Sequence, residues 1–108
     1  KKDAPSGTAL RLGEKVADGL GLNFKEVMIH DPGRMLSEHP KGKIVIRSFR
    51  KGEVVGDHTV SFENKAEKIG FTHHAWSRAA FAMGALRAVQ WVIGQNPGLY
   101  DMQDMLGL

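Results

Sequence analysis

Residues 43–75 read KIVIRSFRKGEVVGDHTVSFENKAEKIGFTHHA, and the fold class turns on how this stretch pairs. Lys43 to Arg50 is β-branched and aromatic, and Lys51-Gly52 has turn chemistry. The segment from Glu53 to Phe62 answers with Val54, His58, Val60 and Phe62 on one face. That pattern predicts a β-hairpin. A second turn at Glu63-Asn64-Lys65 leads into 66–76, where Ile69 and Phe71 point one way and Lys68 and Thr72 the other, the alternation of a half-buried antiparallel strand. Upstream, KEVMIHD at 25–31 has an apolar centre in Val27, Met28 and Ile29 and predicts a buried strand. The Pro-, Gly- and charge-rich DPGRMLSEHPKG that follows predicts a surface loop. In that loop Arg34, His39 and Lys41 read either as ligand contacts or as solvated charge.

The chain opens KKDAPSGT and continues ALRLGEKVADGL, with Ala9, Leu12, Val16 and Leu20 at helical spacing. The expected helix runs from about Ser6 to Gly19, with Arg11, Glu14, Lys15 and Asp18 toward solvent and Gly19 and Gly21 ending it. Ser6, Gly7 and Thr8 then fall in the first turn, where backbone amides lack intrahelical partners and carry the positive end of the helix dipole. Two readings stand side by side. Ser6 is a plain N-cap behind Pro5, or the turn is a carboxylate or phosphate site with Lys1 adding a full charge.

One helix and four strands define an α+β fold, a four-stranded mixed or antiparallel sheet with the helix on one face. A last segment, SRAAFAMGALRAVQWVIGQNPGLYDMQDML, predicts a second helix capped by Ser77 and closing near Gly94, with Pro97 beyond. Only Arg78, Arg87 and Gln90 interrupt its apolar surface, so it calls for cover on more than one side. Arg78 sits at the helix start, where a cation opposes the dipole unless it is solvated or paired with an anion.

Composition bounds the rest. With 108 residues, 42% hydrophobic and 25% charged, the chain supports one globular domain with a modest core. The run from Ala79 to Ile93 is too short for a membrane span, and no signal-peptide pattern opens the chain. The absence of cysteine fits a reducing cytoplasm. Net charge is +3, with basic residues scattered and no nucleic-acid motif, so an anionic small molecule is a better match than nucleic acid. His58 beside Asp57 reads as a structural hydrogen-bonding group or as chemistry. His58, His73 and His74 lack zinc-ligand spacing, and no metal is expected. GxGxxG does not occur. A chain that starts on lysine, inside a motif, reads as a fragment.

The motifs carry a resemblance. KKDAPSGTA resembles the signature of the 4-hydroxy-tetrahydrodipicolinate reductase (dihydrodipicolinate reductase) family of lysine biosynthesis, Lys-x-Asp-Ala-Pro-Ser-Gly-Thr-Ala preceded by a pair of histidines, and meets every fixed position from Lys1 onward. Gly42, Ile44, Arg50, Gly52, Gly56, His58 and Phe62 also match, as does the GLYDM ending. Val45 stands where the family usually has glycine, and Asp57 where it has glutamate.

The resemblance implies an oxidoreductase in which NADPH or NADH delivers hydride to C4 of the substrate with loss of water, giving tetrahydrodipicolinate. It implies that Lys1 is the catalytic proton donor and that Ser6, Gly7 and Thr8 bind a carboxylate of the dicarboxylate substrate. It places an arginine at the position of Arg78 near the active-site cleft. Residues 1–77 would form the substrate-binding and tetramerisation domain. Residues 78–108 would return to a nucleotide-binding Rossmann domain that precedes Lys1 and holds most of the cofactor. A homotetramer is expected, since Ile44 and Ile46 oppose Val45 and Phe49 and one helix covers only one sheet face. The rival expectation is that the isolated chain is a non-catalytic oligomerisation module.

Overall fold

A computed structural model describes residues 4–49 and 52–108, which divide into two compact units on either side of the His73–His74 bond. In the first unit, α1 (Gly7–Gly19) is capped at its start by Ser6, whose extended backbone lets Oγ accept the Ala9 amide at 3.1 Å. Its end is a Schellman turn. Leu22 N–H donates to the Ala17 carbonyl at 2.9 Å and Gly21 N–H to that of Asp18 at 3.1 Å, with Gly21 at φ 68°, a conformation that favours glycine. The charged face lies in solvent, with Arg11 paired to Glu14 and Lys15 to Asp18.

The expected strand at 25–31 begins later than its sequence suggests. Asn23 accepts the Lys25 amide at 3.1 Å and starts a single helical turn, α2 (Phe24–Val27), so β1 is only Met28–His30. This local side-chain cap outweighs the β-propensity of Val27.

β2 (Ile44–Ile46) pairs with β1 in parallel, in the register Met28↔Ile44, Ile29↔Val45 and His30↔Ile46. The predicted hairpin between the 43–50 and 53–62 segments is therefore replaced; its turn residue Lys51 lies outside the described residues. β3 (Gly56–Glu63) pairs instead with β4 (Lys68–Ala75). Among the described residues the four strands form two two-stranded sheets, not one four-stranded sheet. The physical reason lies at the end of β1. Asp31, only 2% exposed, accepts Arg47 Nε at 2.8 Å, while its other oxygen takes the Met35 and Leu36 amides at 2.7 and 3.3 Å. That clamp joins the residue after β1 to the residue after β2 and fixes the parallel register. The direct bond from Arg47 holds the Asp31 carboxyl below its ordinary pKa; burial opposes this, and the two amides reinforce it.

The Asp31–Lys43 connection is a loop, as expected. His39 Nε2 bonds the Lys43 carbonyl at 2.8 Å, and the Arg34 guanidinium lies 5.6 Å from the Phe49 ring centroid. These contacts give His39 and Arg34 structural work. The turn between β3 and β4 falls where the sequence places it: Asn64 Oδ1 accepts the amides of Ala66 and Glu67 at 2.7 and 3.0 Å. Across the ribbon Thr59 and Thr72 share a 2.9 Å hydroxyl contact.

The core of this unit is small. Gly13 and Ala17 of α1 are buried, as is Ile46 of β2, and a Cβ on Gly13 would stand 2.7 Å from the Phe24 ring and 3.2 Å from Ile46 Cδ1.

In the second unit, α3 (Ala79–Val92) starts after Arg78, with Ser77 Oγ accepting the Ala79 amide at 3.1 Å. Phe81, Met83, Leu86, Val89 and Ile93 are exposed. A short α4 (Met102–Leu106), which the periodicity reading does not single out, is fixed by a capping box of Asp101 and Asp104 and ends at Gly107. Trp91 meets Tyr100 edge to face at 5.3 Å, and Tyr100 donates to the Asn96 carbonyl at 2.7 Å. Among the described residues no helix is long and apolar enough to cross a membrane.

Candidate functional site

The start of α1 brings together the residues that the sequence singles out. Ser6, half-buried, accepts the Ala9 amide, and its carbonyl accepts the Leu10 amide at 3.0 Å. The amides of Gly7 and Thr8 come before the first intrahelical bond and so have no intrahelical acceptor. Both residues are exposed, and a Cβ on Gly7 would meet nothing within 4 Å. A ligand can therefore approach the main chain at Gly7 closely. Two amides without an intrahelical acceptor, the Ser6 and Thr8 hydroxyls and the positive end of a 13-residue helix suit an anionic oxygen. Lys1 and Asp3, two further members of the motif, lie outside the described residues.

The structure adds one residue to this group. His58 comes from β3, 52 positions away, and its Nε2 lies 3.3 Å from Ser6 Oγ. The sequence leaves His58 between a structural hydrogen bond and chemistry and names no partner, because no local spacing links a strand residue to a distant helix cap. Alternation along β3 is the only available signal: Gly56, His58 and Val60 are half-buried between exposed neighbours. The His58 ring stacks on that of His73 with centroids 6.4 Å apart. No group of three or more His, Asp or Glu able to hold a metal occurs among the described residues.

Fold and site together define an α+β domain with an open helix start backed by a strand histidine. Comparison with known proteins gives the family. Residues 1–106 match the family model described as dihydrodipicolinate reductase, C-terminus, and the chain belongs to that family. All 108 residues align at 48% identity with a 4-hydroxy-tetrahydrodipicolinate reductase of Geobacter sulfurreducens and at 51% with one of Hahella chejuensis; 107 residues align at 50% with one of Syntrophus aciditrophicus. The chain spans 41%, 40% and 40% of those relatives, respectively.

Proposed function

We propose that this chain is the substrate-binding part of an NAD(P)H-dependent reductase that converts 4-hydroxy-tetrahydrodipicolinate to tetrahydrodipicolinate in the cytoplasmic pathway to diaminopimelate and lysine. The observation that carries the reading is the open helix start at Ser6-Gly7-Thr8, in a chain whose 108 residues align with a reductase at 48% identity. In this reading the Gly7 and Thr8 amides and the Ser6 and Thr8 hydroxyls hold one substrate carboxylate, and Lys1 supplies the proton as the ring is reduced. The dinucleotide supplies hydride. Without a GxGxxG loop, these residues do not form its phosphate cradle, and the chain's own work is to bind and orient the dicarboxylate.

Gly7→Val in the full-length enzyme tests the site. A side chain there occupies the space the ligand needs, so the affinity for pyridine-2,6-dicarboxylate is expected to fall about tenfold, the scale of one charge-assisted hydrogen bond. Calorimetry that finds undiminished affinity would reduce Ser6 to a cap and remove the site.

Residues 1–77 are proposed as the substrate-binding and tetramerisation domain, with 78–108 returning to a nucleotide-binding domain. Exposed Ile69 and Phe71 on β4 support association, and exposed Phe81 and Leu86 on α3 support docking. Light scattering on the 108-residue chain should find a homotetramer at micromolar concentration; a stable monomer would refute the assembly.

A further inference from the structure

We propose that His58 is a positioning residue that commits the Ser6 hydroxyl to donate its hydrogen to the bound carboxylate. The inference rests on the substrate-site reading above and concerns how that site is set up.

A serine hydroxyl has one hydrogen to give and two lone pairs to fill. One lone pair of Ser6 takes the Ala9 N–H at 3.1 Å, which is the helix cap. His58 Nε2 stands 3.3 Å from the same oxygen, and the direction of that second bond depends on which ring nitrogen carries hydrogen. The other nitrogen decides it. Nδ1 is shut off from solvent and has no hydrogen-bond partner among the described residues. A buried N–H without an acceptor is the rarer of the two defects, so Nδ1 is bare and the hydrogen sits on Nε2.

Nε2–H then donates to Ser6 Oγ and fills its second lone pair. The hydroxyl hydrogen is the only bonding capacity left to Ser6. It is free for an anion at the mouth of α1, where the Gly7 and Thr8 amides and the helix dipole already favour negative charge. With the opposite tautomer, Ser6 would spend its hydrogen on the ring and offer a carboxylate only lone pairs, which repel it. The placement of His58 is built into β3, whose alternation turns this residue toward α1 and whose pairing with β4 is fixed by the Thr59–Thr72 contact and the stacking of His58 on His73.

The test uses the full-length reductase and pyridine-2,6-dicarboxylate as probe. His58→Phe keeps a ring but removes the donor, and should weaken binding and raise the substrate KM roughly tenfold while the nicotinamide KM stays at the parent value. His58→Gln, whose amide nitrogen lies near the position of Nε2, should restore binding to within about threefold of the parent. On a Ser6→Ala background, itself expected to bind weakly, His58→Phe should add no further loss.

An unchanged affinity in His58→Phe, or an equal loss with and without Ser6, would overturn the positioning role while leaving the site intact. A Ser6→Ala enzyme that binds like the parent would instead overturn the site reading on which this one rests. Nitrogen chemical shifts of labelled His58 read the tautomer in the unsubstituted enzyme, so the proposal does not depend on the folding of any variant. Hydrogen on Nε2 supports it, and hydrogen on Nδ1 alone overturns it.

Discussion

Lys1→Ala in the full-length reductase is expected to lower kcat by roughly 10²-fold or more, the usual scale for loss of a general acid, while the melting temperature stays near that of the parent. Lys1 opens the signature whose later members, Ser6, Gly7 and Thr8, form the proposed helix-start site, so a ligand held there would be within reach of the lysine along the chain. A lysine ammonium ordinarily keeps its proton to about pH 10 and can give it to the ring atom that takes up the displaced electron pair as hydride arrives at C4. Lys1→Arg separates the two uses of that cation. Guanidinium retains the charge but does not give up its proton at neutral pH, so substrate affinity should largely return while kcat stays low. Single-turnover measurements with an unchanged chemical rate in Lys1→Ala would take Lys1 out of the mechanism.

Gly13→Val is expected to be the most damaging of the simple substitutions in the fold, at about 3 kcal/mol. Glycine inside a helix costs roughly 1 kcal/mol relative to alanine, and its presence in the middle of α1 needs a packing reason. That reason is the Phe24 ring, 2.7 Å from where the first side-chain carbon would sit, with Ile46 Cδ1 at 3.2 Å behind it. Valine adds two methyl groups to that crowding, and α1 must lift from α2 and β2 to admit them. Because the helix start is the candidate site, loss of dicarboxylate affinity should accompany loss of stability. Urea unfolding that shows parental stability for Gly13→Val would mean that Phe24 swings clear at little cost.

Much of this was legible from local chemistry. Ser6 as cap, the apolar spacing through Leu20, Gly21 past the helix end and Asn64 in the β3–β4 turn are each decided within a few residues, and a sequence displays such neighbourhoods directly. Strand partnership is not local. Ile44-Val45-Ile46 fits an antiparallel hairpin and a parallel ladder equally well, and the choice rests on Asp31 reaching Arg47 across 16 positions. The α2 turn was missed because the Asn23 cap competes with a β-branched neighbour only a few residues on. The helix start at Ser6, Gly7 and Thr8, where the site is proposed, could be read from the chain, whereas the contact of His58 with Ser6 exists only once β3 is laid beside α1.

The β3–β4 ribbon has a thermodynamic consequence. Its strands are eight residues each, each has one hydrogen-bonded neighbour among the described residues, and Ile69 and Phe71 face solvent in the single chain. A two-stranded ribbon is marginal in water, and here α1 covers only the half-buried part of β3 and leaves Ile69 and Phe71 of β4 open. In the proposed tetramer the cover comes from other copies, so order in the ribbon is bound to an association equilibrium and mass action sets how much of it is formed. Dilution alone would then loosen β3. The strand that carries His58 to Ser6 would be as well ordered as the subunit concentration allows, which ties the quality of the carboxylate site to assembly without any contact between one site and the next.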